Sequence, residues 1–404
     1  MIRNLLAAAA ISLLAPWSAY GACSFENEVP IKSLTAGFEA WKAVTDAMAE
    51  CGNVEAELDQ EFREKQPAAF AADPSLYHIG GVANGTLVPL LNEGTIRPLD
   101  DLVAKHGQHL SPNQLIKIDG QVMAVAMMVN AQHLMYRKDI LDELGIPVPT
   151  SYDEMLAAAD TIKEAGVVDY PIGGTFKTGW DLAEEFVNMF FGFDGELFNP
   201  DKTPNVNNEA GVKALEMMQA LTAYMDPEYL VADSTYVQQQ FQQGKIAMAN
   251  LWASRAAAMD DAAESQVVGE VMMAAAPLAM DGGKPATTLW WDGIVIAKNV
   301  SDEEADAAFR VAMEGIDKEM VEANNDVAVW LIDGFEAGRM AEGAAASANG
   351  GARGYPASTE MGLMHTALGD NIADFLTGSE SAEQALADVE AAYVTAAKEQ
   401  GLLK

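Results

Sequence analysis

The residues best equipped for chemistry are aromatic rings set beside hydrogen-bonding and charged side chains. Trp252 is followed three residues later by Arg255, Trp290 and Trp291 run directly into Asp292, and Trp180 lies in the segment Thr178-Gly179-Trp180-Asp181. Trp41 stands early in the first amphipathic segment. Indole faces beside carboxylates, guanidinium groups and amides can hold a molecule whose C–H faces are ringed by hydroxyls. A tryptophan taken alone more often packs in a core, so the rings carry this chemistry only if the fold brings them together. Trp290 and Trp291 adjoin in a run read as a strand, where neighbours face opposite sides, so only one can face a common site.

A second candidate is the stretch Gly80-Gly81-Val82-Ala83-Asn84-Gly85. It is expected to be a loop between a strand at 76–79 and a short helix toward Asn92. A glycine pair there exposes backbone N–H groups that could hold hydroxyls or an anion, with Asn84 beside them; a bare turn is the alternative. Phe38 and Glu39 open the first helix at the carboxyl end of the strands, where open α/β sheets bind. Glu39 either accepts ligand hydroxyls or caps its helix. Arg255 suits a carboxylate or sulfonate group, or else forms a surface ion pair.

Catalytic signatures are missing. The chain has no G-x-S-x-G, H-E-x-x-H or P-loop pattern. His106 and His109 are spaced H-x-x-H without a local third ligand, which reads as a solvated loop. No metal and no cofactor are expected, and the chain is not read as an enzyme. The rival from another class is a glycoside hydrolase, because 60 acidic residues always leave room for a carboxylate pair.

The elements that must position these residues alternate along the chain. The leader has one cation, Arg3, an apolar run from Leu5 to Leu14, Pro16, and the small residues Ala19, Gly21 and Ala22. This is the pattern of a secretory signal peptide over 1–22. Two cysteines in an exported chain commonly pair, so Cys23 and Cys51 are expected to form a disulfide, with acylation of Cys23 as the alternative. At 404 residues the chain exceeds one ordinary core, and two lobes are the default. The formal charge of −36 argues against nucleic acid and against anionic membrane surfaces.

After the leader, a strand at 29–34, a helix at 37–51 with Phe38, Trp41, Val44 and Met48 at helical spacing, and a strand at 54–58 open as β-α-β. A helix at 61–71 follows, and the fold class is α/β. Thr150 or Ser151 caps a helix at 152–165. Ser301 caps another at 302–316, with Glu304 completing a capping box. The Ala/Gly/Ser-rich 341–351 reads as a mobile surface loop, and 382–398 as a final amphipathic helix.

The order of segments resembles the bacterial extracellular solute-binding proteins of sugar-type ABC transporters. Asp119-Gly120-Gln121-Val122 through Tyr136-Arg137-Lys138-Asp139, then Gly145-Ile146-Pro147-Val148-Pro149-Thr150 and Tyr152-Asp153-Glu154, resembles that family's run of a DG hairpin, a YNKD segment, a GI..P.T turn and a helix start. Arg137 replaces the usual asparagine. Phe241 through Met248, followed by Trp252, resembles the family's F..GKAAM strand and its aromatic binding residue, and Leu289 through Ile296 resembles its second crossing between lobes.

The resemblance implies a two-lobed periplasmic-binding-protein fold with hinge-linked lobes and a central cleft. One lobe would comprise 23–129 plus 292–318 and the other 130–291 plus 319–404. It implies a monomer in the periplasm that captures a small carbohydrate or polyol, including a sugar acid or sulfonated sugar, for ABC transporter permease subunits. Trp252 and one of the Trp290/Trp291 pair become binding residues, with Asn130 and Asp292 as hydroxyl partners at the two lobe crossings. A nearer rival is the same fold binding a polyamine or other small cation, with Glu39 and Asp292 available to a polyamine, marked by strong salt dependence.

Overall fold

The computed structural model describes residues 23–404, and the expected signal peptide at 1–22 lies outside the described residues. Two sheets organise the molecule. The larger has eight strands. Its main path runs β11-β5-β10-β3-β1-β2, from β1 (Ile31–Thr35), β2 (Val54–Leu58), β3 (Ile79–Ala83), β5 (Gln121–Asn130), β10 (Thr288–Ile296) and β11 (Val329–Trp330). Strand β4 (Leu115–Ile118) pairs with β5, and β12 (Arg353–Gly354) pairs with the start of β10. The smaller sheet runs β7-β8-β6-β9, from β6 (Gln132–Arg137), β7 (Tyr170–Gly173), β8 (Ile246–Trp252) and β9 (Val271–Ala274).

The opening β-α-β unit forms because Glu39–Ala49 buries Trp41, Val44 and Met48 along one stripe. This lets β1 and β2 pair in parallel, from Ile31 beside Val54 to Thr35 beside Leu58. Cys23 and Cys51 are joined, with Cα atoms 5.0 Å apart, and tie the N-terminal tail to the end of that helix. The expected caps are present. Ser151 Oγ accepts the Glu154 N–H, while Ser301 and Glu304 bond reciprocally at 3.2 and 2.8 Å.

Each sheet has its own apolar core. Leu34, Trp41, Ile79, Met127, Ile294 and Phe309 pack on the larger one, and Leu134, Phe186, Phe190, Met248, Leu368 and Tyr393 on the helical side of the smaller one. Met320, Val321, Trp330 and Ile332 belong to the first core. The chain therefore stays with the larger sheet beyond residue 318, because β11 extends that sheet along β5. Strand β5 passes into β6 through Ala131 alone, so one nearly continuous extended run crosses between the sheets. Strand β10 crosses back beside it, with Trp290 opposite Asn130.

Two local expectations change. The strand expected at 76–79 lies at Ile79–Ala83 and leads directly into the helix Asn84–Asn92, leaving no glycine loop. The loop expected at 341–351 is largely the helix Glu342–Asn349. Its alanines favour helix. Its small residues also let it settle on β6 and β9, where a Cβ on Gly343 would come within 2.3 Å of the His133 ring. Ser347 Oγ is fixed there, accepting the Ala276 N–H at 2.9 Å.

Candidate functional site

A cavity of about 420 Å³ opens between the two sheets. From the side of the larger sheet, Phe38, Phe62, Arg63 and Asp292 line it; from the other side, Trp180, Asp181, Trp252 and Arg255. Asn130 and Trp290 line it from the two crossing strands.

Three indoles meet there. The Trp180 ring centroid lies 6.3 Å from that of Trp252 and 5.6 Å from that of Trp290, and Trp252 and Trp290 are 5.9 Å apart with their planes at 84°. Each arrives on a different element: Trp252 at the end of β8, Trp290 on β10, and Trp180 at the start of the helix Trp180–Gly192. Behind them, Tyr355 stacks on Trp290 with centroids 3.9 Å apart, and its hydroxyl meets His365 Nδ1 at 2.8 Å. His365 Nε2 lies 2.9 Å from the Trp180 carbonyl oxygen, fixing where the ring-bearing helix begins.

Below the rings lies a buried polar network. Glu184 Oε1 accepts from the Trp290 indole N–H at 3.0 Å and from Thr288 Oγ1. Glu185 Oε1 accepts from Gln132 Nε2 at 2.9 Å and from Thr175 Oγ1. Asn188 donates to Gln132 Oε1 at 3.0 Å. Gln132 belongs to β6 and Thr288 to β10, so the network clamps the Trp180 helix to both crossing strands. Burial raises the Glu184 carboxyl to about 7 against the hydrogen bonds it accepts, and raises Glu185 to about 8.

The charged groups interlock. The Arg63 guanidinium lies 4.2 Å from the Trp180 ring centroid, a cation–π contact that reaches across the cleft. Asp181 and Asp292 are the carboxylates that act on it most. Asp292 sits at a bulge in β10. Burial lifts it to about 7, while Arg63 and the Trp41 indole pull the other way. Burial lifts Asp181 to about 6, opposed by Arg63. Arg255 donates to Ser234 Oγ at 2.9 Å, Thr235 Oγ1 at 3.2 Å and Gln238 Oε1 at 3.2 Å, and Lys177 pairs with Asp233 at 3.7 Å.

Of the residues singled out from sequence, Phe38, Asn130, Trp180, Trp252, Arg255, Trp290 and Asp292 therefore come together around one cavity. Asn130 also braces its crossing, donating to Ser254 Oγ at 3.2 Å. Glu39 is exposed and outside the lining; the N-cap of its helix is Phe38. Gly80 and Gly81 also lie elsewhere, inside β3, paired with Val295 and Ile294. They are glycines because the sheet's two faces are crowded: an added Cβ would meet Phe70 at 2.7 Å from Gly80, and Trp41 at 2.8 Å from Gly81. Trp41 itself is core. Asn84 is a brace, accepting the Trp291 N–H at 2.9 Å and donating to the Tyr355 carbonyl at 3.3 Å. Trp291 points away from Trp290 and packs against the separate apolar cluster that holds Phe70, Val82, Leu87 and Met123.

Sequence reasoning missed Arg63, Asp181, Ser234 and Thr235. Asp181 follows a tryptophan already singled out, which was a usable signal. Arg63, one cation at a helix start, carried none. The solvated loop expected for the histidine pair holds for His109, which is exposed in a turn, but His106 ends the helix Asp100–His106 with its Nε2 2.9 Å from Asp306 Oδ1. Among the described residues the one group with metal-ligand spacing is Cys23, Cys51 and Glu314, and its cysteines are consumed by the disulfide.

The family model described as bacterial extracellular solute-binding protein matches residues 32–314. A curated relative, the probable sugar-binding periplasmic protein of Rhizobium meliloti (strain 1021), is 26% identical over 146 residues; the match covers 34% of this chain and 34% of that protein's length. A solute-binding protein from Agrobacterium radiobacter K84 in complex with ribitol superposes with a TM-score of 0.79 at 21% identity, covering 90% of this chain and 98% of that one. One from Agrobacterium vitis S4 with bound D-mannitol gives 0.77 at 21%, covering 92% and 99%. A maltose-bound T. maritima protein gives 0.75 at 18%, covering 90% and 99%. These likenesses establish the two-lobed fold with a central cleft.

Proposed function

The chain belongs to the bacterial extracellular solute-binding proteins, and from that premise we propose that it captures a small carbohydrate or polyol in the cleft between its lobes and delivers it to the permease of an ABC transporter. The observation that carries the ligand class is the corner formed by Trp180, Trp252 and Trp290, which offers apolar faces beside Asp181, Asp292, Asn130 and Arg63. Hydroxyls would pair with the carboxylates, the amide and the guanidinium, and C–H faces with the rings. The ribitol and mannitol complexes of the structural relatives agree with that class.

The lobe boundaries belong to this reading. The first lobe would hold 23–129 and 292–318, together with the stretch to about 332 whose apolar residues sit in its core. The second would hold 130–291 and the C-terminal helices. The lobes would hinge at the crossings near Ala131 and Thr287. The leader at 1–22 would direct export to the periplasm, where the protein acts as a monomer.

A thermal-shift screen of the mature protein against sugars, alditols, sugar acids, amino acids and polyamines tests this directly, because a ligand of the folded state raises the melting temperature. A shift with one carbohydrate or alditol class, and no conversion of that compound by NMR, is expected. A shift confined to polyamines would keep the fold and overturn the ligand class. Hydrolysis of a glycoside would overturn the receptor function.

A further inference from the structure

Eight charged residues line the cleft, five carboxylates and three cations: Glu61, Glu64, Asp181, Asp233 and Asp292 against Arg63, Lys177 and Arg255. Each cation is already answered from within the protein. Lys177 pairs with Asp233 at 3.7 Å. Arg255 donates from its terminal N–H groups to Ser234, Thr235 and Gln238, and Asp233 and Asp181 are the carboxylates that act on it most. Arg63 lies over Trp180 with Asp181 and Asp292 acting on it. An anionic ligand group drawn to any of the three would sit beside at least one carboxylate. A cationic group drawn to Asp181 or Asp292 would meet the Arg63 guanidinium.

Resting on the carbohydrate reading above, we infer that the solute is uncharged, and that Asp181 and Asp292, set about Arg63, are the residues that reject sugar acids. Hydroxyls can donate to these carboxylates and accept from the guanidinium without adding net charge, whereas a carboxylate, phosphate or sulfonate can only accept and adds repulsion in a poorly solvated cleft. The chain's charge of −36 works in the same direction at long range.

Calorimetric titration at pH 7.5 with matched probes tests this: D-glucitol, D-gluconate and D-glucamine; D-galactose, D-galacturonate and D-galactosamine; ribitol and D-ribonate. The expected result is that, in whichever set binds, the uncharged member binds at least tenfold tighter than its acid and its amine. Asp292→Asn should narrow the gap between alcohol and acid severalfold. Asp181→Asn is the second variant, used if circular dichroism shows Asp292→Asn misfolded. An acid or amine that binds as tightly as its alcohol in the wild type overturns the inference while leaving the carbohydrate reading intact. Binding by none of these probes, with a polyamine or amino acid found instead, overturns the carbohydrate reading and this inference with it.

Discussion

The indole N–H of Trp290 donates to the buried carboxylate of Glu184 across 3.0 Å, which ties a ring in the cleft to a helix that begins at another ring, Trp180. Thr288 Oγ1 shares that N–H at 2.8 Å. Glu184 therefore positions Trp290 without lining the cavity. Glu184→Ala should weaken carbohydrate binding roughly tenfold, the effect of about 1.4 kcal/mol from a lost charge-assisted bond, while Glu184→Gln, which keeps the acceptor, should retain most of the affinity. Equal losses in both variants would show that the Trp290 contact is not what matters.

The same network makes stability pH-dependent. Glu184 and Glu185 titrate near 7 and 8 in the fold, against about 4.3 when unfolded. Between those values the native state holds protons that the unfolded chain has released, so these two groups lower stability as pH rises from about 4.5 to 8. The melting temperature of the ligand-free protein should show this fall. Glu185→Gln, with its oxygen still available to Gln132 and Thr175, should flatten it by roughly 3 °C or more between pH 5 and 9. A slope unchanged from wild type would remove Glu185 from the account.

Ligand contacts can be separated from structural ones. Trp252→Ala should cost about 2 kcal/mol of binding or more, roughly thirtyfold, with the far-ultraviolet circular dichroism unchanged. Arg63→Ala should weaken binding comparably, and Arg63→Lys should restore little, because an ammonium cannot reproduce the planar fork that lies on Trp180 and could serve two ligand hydroxyls at once. Unchanged affinity in either alanine variant would place that residue outside the ligand's reach.

The Cys23–Cys51 link closes a sequence separation of 28 residues. By loop entropy it stabilises by about 3.5 kcal/mol, so Cys51→Ser should lower the denaturant midpoint while leaving the ligand affinity near wild type, since the link lies outside the cleft lining. Mass spectrometry of the exported protein should find two hydrogens fewer than in the reduced chain; a diacylglycerol adduct would establish acylation of Cys23 instead.

Local chemistry was legible in the sequence wherever one segment's own pattern decides the outcome. The helical stripe of Trp41, Val44 and Met48 and the Ser301 cap follow from neighbours in the chain, which also narrowed the other cap to Thr150 or Ser151, and the cysteine pairing follows from there being two in an exported chain. The alternation of a strand allowed only one of Trp290 and Trp291 into a site, though it could not say which. Tertiary structure decided that, because the side of β10 facing the cleft depends on its pairing with β5 and β3. It also turned Gly80 and Gly81 from loop glycines into strand glycines, by pressing Phe70 and Trp41 onto them. It folded 342–349 into a helix against β6 and β9, where its small residues fit. It brought Arg63 to Trp180 across 117 positions of sequence, because a contact between lobes depends on how two sheets are set by their crossings, and no local spacing encodes that.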